Sequence, residues 1–429
     1  MMTASEVIDR IHSSRETGKK SGLVNTGELL TILQCQPSVT VIHVAGTNGK
    51  GSICALSESI LRNAGYRTGM YTSPFLQIYN ERIRINGKPV DDEVLAEAGT
   101  MLFKAADRLN AEKEHYFTPF ELGTALAFLI FKLQKIDIAV IEVGLGGRFD
   151  ATNVMSHVSV SAIGAIGMDH MQYLGDTPEK IAFEKAGIMK AGTPVVCHPA
   201  TESVKDVFKQ VACEKGALLI QTETCMISDV DARENGSTAD FACPGISLKK
   251  LHVSLPGKHQ LTNTMTALCV IGQLREQGIR ISDEAIRTGC NEVFWPARLE
   301  WTNRVLIDGA HNVQGVTALA DFVTEHLLNR KKILLIGVLS EKLTKEMICQ
   351  IRRIGDRVVT VTPDYASRAM PAEEFAGILN RNGFRAEAGE SIESGTAEAL
   401  KIAGEDGTVI AFGSLYFVGK LRTVLGLRP

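Results

Sequence analysis

The sequence predicts an α/β protein built in two parts, a larger domain over 1–296 and a smaller one over 297–429. Three observations predict it. Apolar runs of strand length alternate with amphipathic stretches of helix length, the pattern of βαβ units and a mostly parallel sheet. A glycine-rich segment, Gly46-Thr47-Asn48-Gly49-Lys50-Gly51-Ser52, directly follows the first apolar run. The alternation stops at Phe294-Trp295-Pro296-Ala297-Arg298 and then starts again, which reads as a domain joint.

Taken in order, Met1–Ser14 is polar with helical spacing. Val39–Val44 reads as a strand and Gly51–Asn63 as the helix after it. Thr68–Tyr71 is a short strand, Phe120–Leu133 a strongly apolar helix and Ile138–Val143 a strand. Val158–Ile163 and Pro194–Cys197 are strands on either side of a helix at Pro178–Met189. In Thr222–Leu255, Asp, Gly, Ser and Pro turns separate short alternating segments, so this stretch reads as an antiparallel β insertion. Helices resume at Gln260–Glu276 and Asp283–Asn291. Beyond the joint, Arg304–Ile307, Lys332–Val338, Val358–Val361 and Val409–Phe412 read as strands of a second, Rossmann-like α/β domain. Its length of about 130 residues is ordinary for a domain.

Composition narrows the function. A chain of 429 residues favours two domains over one. A net charge of −3 argues against nucleic acid or a membrane surface as partner. There is no apolar run of about 18 residues to span a membrane, and Met1–Ser14 has no apolar core or cleavage site of a signal peptide. Nine cysteines without a CxxC pair point to reduced thiols in a cytoplasmic protein, not to a disulfide framework or structural zinc.

The glycine-rich segment can wrap a polyphosphate. Glycines let the backbone approach closely, N–H groups and the helix N-terminus present positive ends, and Lys50 adds a full charge. It departs from the strict Walker pattern: Val44 stands five before Gly49, and Gly51 separates Lys50 from Ser52. The larger domain is therefore expected to be of the P-loop mononucleotide-binding type. Carboxylate and imidazole groups gather at other strand ends. Glu142 ends one apolar strand, Asp169-His170 follows another and Ser73 a third. Ligands of open α/β sheets bind beyond such ends. Together Ser73, Glu142 and His170 suit magnesium, although singly each also reads as a cap or turn residue.

The motifs now in view resemble those of the folylpolyglutamate synthase/dihydrofolate synthase family, a branch of the Mur ligases. The P-loop Gly46–Ser52 is joined in family order by Thr72-Ser73-Pro74, Glu81-Arg82-Ile83, Glu142–Asn153 and Asp169-His170. Then come Glu184–Ile188, Leu255–Gln260 with Asn263, Arg298-Leu299-Glu300, Asp308–Asn312 and Gly413–Tyr416. The set covers nearly the whole chain. Other Mur ligases usually carry threonine straight after the P-loop lysine, and an N-terminal domain for which this chain has no room.

The resemblance implies roles. Asn48, Gly49, Lys50, Gly51 and Ser52 would hold ATP phosphates, with Asn263, Arg298 and Asp308 as further ATP contacts. Ser73, Glu142 and His170 would bind magnesium, and Lys185, carried as a carbamate, would help organise a second ion. Lys50, Lys185 and His311 would serve catalysis, His311 on the phosphate side. Thr118, Phe120, Glu121, Phe149, Asp150 and Ala151 resemble the lining of the pterin pocket. The implied activity is ATP-dependent addition of L-glutamate to a folate acceptor or dihydropteroate by a monomer, through an acyl phosphate. Two rivals are a ligase for a peptidoglycan precursor and a nucleotide-binding module without ligase activity.

Four positions depart from the family pattern. Phe75 follows Ser73-Pro74 where histidine is usual, and Ala297 precedes Arg298 where glycine is usual. Ser340-Glu341-Lys342-Leu343 lacks a second acid, and Gly22-Leu23-Val24-Asn25 lacks a Glu-Arg pair.

Overall fold

A computed structural model describes residues 1–14, 23–113, 116–365 and 367–429. Gly22 thus lies outside the described residues. The larger sheet contains β1 (Thr40–Ala45), β2 (Thr68–Tyr71), β3 (Ile83–Ile85), β4 (Lys88–Pro89), β5 (Ile138–Glu142), β6 (Val160–Ile163), β7 (Pro194–Cys197) and β8 (Leu218–Gln221). Their order is β4-β3-β2-β5-β1-β6-β7-β8. All neighbours from β2 to β8 pair in parallel, and β3 and β4 extend the edge antiparallel.

The central strands are mostly apolar because both faces of the sheet are covered. Along β1 the side chains alternate between two cores. Ile42 and Val44 face the core built with helices Lys50–Asn63, Lys258–Glu276 and Asp283–Glu292. Val41 faces the other, built with Ala4–His12, Val24–Leu33, Asp92–Lys113 and Pro119–Leu133. The expected β insertion is β9 (Met226–Arg233), β10 (Gly236–Cys243) and β11 (Ile246–Val253), an antiparallel sheet in the order β11-β10-β9. Its apolar face, with Ala239, Phe241, Leu248 and Val253, packs into the first of those cores.

The second sheet holds β12 (Glu300–Thr302), β13 (Val305–Ile307), β14 (Lys332–Ile336), β15 (Arg357–Thr360), β16 (Arg385–Ala388) and β17 (Thr408–Phe412). The order is β12-β13-β17-β14-β15-β16, parallel except for β12 against β13. The predicted strands and helices are present with ends moved by a few residues. Sequence patterning did not find the 22-residue helix Asp92–Lys113 or the edge strands β8 and β16. β16 reads Arg-Ala-Glu-Ala and buries only Ala386, so it carries no apolar alternation to detect.

The last helix, Leu415–Val424, lies on the loop that follows β2. Gly419 is glycine because its Cα rests against the Leu76 carbonyl, where a Cβ has no room. Arg422, 2% exposed, donates to the Glu300 carboxylate, to Gln77 Oε1 at 3.0 Å and to the Arg428 carbonyl. Gln77 in turn donates to the Leu427 carbonyl at 2.9 Å. A buried pair is costly to break because the remaining charge loses its partner. Arg422→Met is therefore expected to lower the free energy of urea unfolding by about 3–5 kcal/mol. An unchanged midpoint would contradict a load on this contact.

Candidate active site

Strand order decides which side chains can meet. Because β1 lies between β5 and β6, with β2 beyond β5, four chain segments leave the same carboxyl edge side by side. They are Ser73 after β2, Glu142 at the end of β5, the P-loop after β1, and Ile166–His170 after β6.

The P-loop joins β1 to helix Lys50–Asn63. Gly49 has φ +82°, and its Cα is pressed against the Asn263 side chain, so it needs glycine for both conformation and space. Asn263 itself donates to Gln260 Oε1 at 3.0 Å. The N–H groups of Thr47 and Asn48 donate to the Ala165 carbonyl at 2.9 and 3.2 Å, which ties the loop to the segment after β6. Ser52 is buried in the first helical turn.

Lys50 Nζ lies 3.8 Å from Glu142 Oε1, and the Ser73 N–H donates to Glu142 Oε2 at 3.1 Å. Burial pushes the Glu142 carboxyl up, against the opposing pull of Lys50 and the Ser73 N–H. Of the predicted metal set, Ser73 and Glu142 are in contact. His170 is not paired with Glu142; its Nε2 lies 3.8 Å from Asp169 Oδ1. Among the described residues, no three His, Cys, Asp or Glu converge tightly enough to hold an ion by themselves. A buried carboxylate with one direct hydrogen bond retains acceptor capacity, so Glu142 fits a hard cation whose other ligands are hydroxyl, phosphate and water oxygens.

Lys185 is the buried lysine of the site. It is 4% exposed and its Nζ donates to the Gly46 carbonyl at 2.8 Å. Burial, helped by the charge of Lys50, brings its ammonium down to about 7.

The C-terminal domain closes onto one carboxylate that sequence reasoning left without a role. Asp169 is buried and accepts from Asn312 Nδ2 at 3.2 Å and from the Lys342 ammonium. His311 Nε2 stands 3.7 Å from it. Burial would raise the Asp169 carboxyl, but hydrogen bonding by His311 and the charges of His170 and Lys342 hold it well below the carboxylate range. Burial lowers His170 to about 4. The loop without its second acid thus delivers a single lysine to Asp169. Asn312 also bonds Asn48, and Asn48 Nδ2 donates to Gln314 Oε1 at 2.6 Å. Asn312 lay inside a recognised motif, whereas nothing around Gln314 signalled a contact with the P-loop.

At the joint, Asp308 accepts from the N–H groups of Leu299 at 2.9 Å and Ala310 at 2.8 Å. Its carboxyl is raised by burial, with Arg298 opposing. Arg298 lies over Gly309 and donates to the Ala297 carbonyl at 2.8 Å. Ala297 has φ +54°, a left-handed conformation that favours the family's usual glycine. His311 Nδ1 is 2.8 Å from the Gly309 carbonyl and donates to it, which turns Nε2 toward Asp169.

The pterin-side residues divide into two kinds. Thr118 and Glu121 form a capping box on helix Pro119–Leu133. Asp150 accepts from Leu145 N at 2.8 Å and from Thr152, and Ala151 is buried beside it. These residues hold backbone in place. Phe120 packs on Gly144 and lies 6.1 Å from the Tyr71 ring, while Phe149 is 60% exposed. Arg82, quoted only as part of a motif, has its guanidinium 5.5 Å from both the Phe75 and Tyr79 rings. Phe75, in place of histidine, supplies one face of that stack.

Known proteins share this fold. Residues 44–271 match the Mur ligase middle domain and residues 297–415 the Mur ligase glutamate ligase domain. The dihydrofolate synthase/folylpolyglutamate synthase of Bacillus subtilis is 33% identical over 96% of this chain and 96% of its own length. The chain belongs to the folylpolyglutamate/dihydrofolate synthase family of Mur ligases. Another family member, the folylpolyglutamate synthase of Lacticaseibacillus casei, is 31% identical over 99% of both chains. Among solved structures, Escherichia coli FolC in complex with DHPP and ADP superposes with a TM-score of 0.87 at 28% identity, covering 99% of this chain and 98% of that one. The Mycobacterium tuberculosis folylpolyglutamate synthase complexed with ADP superposes with a TM-score of 0.90 at 28% identity, with the same coverage. Both synthase domains are thus present in the family's order.

Proposed function

We infer that this chain is an ATP-dependent ligase that joins L-glutamate to a folate-type acceptor, extending tetrahydrofolate, converting dihydropteroate to dihydrofolate, or both. The observation that carries the reading is Lys50 facing the buried Glu142 at 3.8 Å on the carboxyl edge of a parallel sheet, beneath a second domain that closes onto the same edge. The relatives' names and the ADP in two of their structures support it. We place the domain boundary between 296 and 297, within the joint that precedes β12.

A carboxylate is a poor electrophile, so the acceptor is first activated. The γ-phosphoryl group of ATP passes to the acceptor carboxylate, giving an acyl phosphate and ADP. The neutral amine of glutamate attacks the acyl carbon, and the tetrahedral intermediate expels phosphate and loses a proton to leave the amide. Lys50 and the N-terminus of helix Lys50–Asn63 hold the β- and γ-phosphates against charge repulsion. Asn48, Gly49, Gly51 and Ser52 shape that cradle, and Asn263, Arg298 and Asp308 hold the rest of the nucleotide. Ser73, Glu142 and His170 would hold magnesium, which neutralises developing charge on the phosphoryl oxygens when bound. His311, oriented by the Gly309 carbonyl, serves the phosphate side. Phe120 and Phe149 offer aromatic surface to the pterin. The closed second domain keeps water from the acyl phosphate.

Lys185 has the properties of a carbamoylation site. An ammonium brought down to about 7 is substantially neutral amine at physiological pH. That amine adds to carbon dioxide, forms an N–C bond and releases a proton, turning a buried cation into an anion suited to a second magnesium. Protein equilibrated with ¹³C-bicarbonate is expected to give a carbamate carbon signal by NMR that Lys185→Arg lacks. The same signal in both proteins would refute the assignment.

The function is tested by phosphate release from ATP, Mg²⁺ and L-glutamate with dihydropteroate, tetrahydrofolate or no acceptor. Release is expected only with both glutamate and a pterin acceptor, and the better acceptor identifies the activity. Acceptor-independent hydrolysis, or ATP binding with no release, would move the chain to the class of nucleotide-binding modules.

A further inference from the structure

Gly51 is not glycine for the sake of its backbone. It lies in the first turn of helix Lys50–Asn63, and its φ is not among the positive values found at Gly46 and Gly49. What excludes a side chain is one neighbour. A Cβ on Gly51 would stand 2.7 Å from Nε1 of Trp295 and 3.1 and 3.2 Å from Cε2 and Cζ2, and its three nearest atoms all belong to that indole. Trp295 comes from the joint that also carries Arg298, and its ring is approached by the Arg84 guanidinium at 5.5 Å. Gly51, Trp295, Arg298, Ser73 and Glu142 line one small cavity.

We infer that Trp295 is a nucleotide-positioning residue, a wedge that sets the joint and Arg298 against the first turn of the P-loop helix, and that Gly51 is glycine to admit it. The inference rests on the reading of the P-loop as the ATP site. It also accounts for glycine directly after the P-loop lysine, where other Mur ligases carry threonine: here an indole fills the space of that side chain. Its effect on the nucleotide is indirect. Gly51 meets the indole directly, Arg298 follows three residues on in the joint and lines the same cavity, and the rigid, two-torsion indole sets their separation.

Two measurements test it. The first is a double-mutant cycle on Mg-ATP affinity by calorimetry, using Gly51→Ala, Trp295→Leu and the pair. Gly51→Ala should weaken ATP about tenfold or more, through overpacking against the ring. In the double variant the alanine should cost at least about fivefold less than in the wild-type background. The same variants should raise the KM for ATP while leaving the KM for glutamate near its wild-type value. Independent, multiplying effects on affinity would overturn the inference.

The second needs no variant at Gly51 and so survives a folding failure there. Trp295 and Trp301 are the chain's two tryptophans. ATP should change the intrinsic fluorescence of the wild type and of Trp301→Phe, but not of Trp295→Phe. A response that persists in Trp295→Phe, or none in a wild type that binds ATP by calorimetry, would overturn the wedge alone. A wild type that binds no ATP would overturn the ATP-site reading with it.

Discussion

Parallel hydrogen bonding of β1 to β5 on one side and β6 on the other is the constraint on which the site depends. The register sets Val44 opposite Glu142 and Ala45 opposite Ile163, so the P-loop emerges level with the ends of both neighbours. A one-residue slip of β5 would turn Glu142 to the other face of the sheet. The two apolar cores fix that register, because every residue of β5 is buried and alternate positions face different helices. Packing within the sheet thus places a buried carboxylate 3.8 Å from the P-loop lysine, whose charge offsets part of the cost of burying it.

Two of the contact regions that hold the second domain to the first lie around the chemistry, while the ion pairs Lys258–Glu325 and Arg330–Glu234 join the domains elsewhere. On the phosphate side, Asp169 gathers Asn312, His311 and Lys342, while Asn48 reaches Asn312 and Gln314. On the side of the β2 loop, Arg422 joins Gln77 to Glu300. Glu81 stiffens that loop from within by accepting from the N–H groups of Leu76, Gln77 and Ile78. Movement of the C-terminal domain would therefore disturb the loop that carries Ser73 and Arg82 together with the P-loop contacts. This ties the position of the C-terminal domain to the assembly of the site.

Local features were readable in the sequence. The P-loop announced itself through glycines around one lysine after a buried strand, and Glu142 through a carboxylate at the end of an apolar run. Lys185 was readable only by resemblance, since a helical lysine gives no sign of burial until helix Pro178–Ala186 is packed beneath the loop. The Asp169 cluster was hidden because its members are far apart in sequence and meet only when two domains dock. Thr118 and Glu121 carried a capping signature at the right spacing, which explains their polar groups by local structure. Trp295 looked like part of a linker, and its contact with Gly51 follows from the path of the joint.

We propose that Glu142, buried beside Lys50, organises magnesium on the phosphates of ATP. The most direct measurement is the Mg²⁺ dependence of ATP affinity by calorimetry in the wild type and in Glu142→Gln. In the wild type, affinity is expected to rise with Mg²⁺. Glu142→Gln should lose most of that rise while binding metal-free ATP at least as tightly, because a negative charge beside the phosphates has been removed. A variant that keeps the full magnesium-dependent gain would contradict the account.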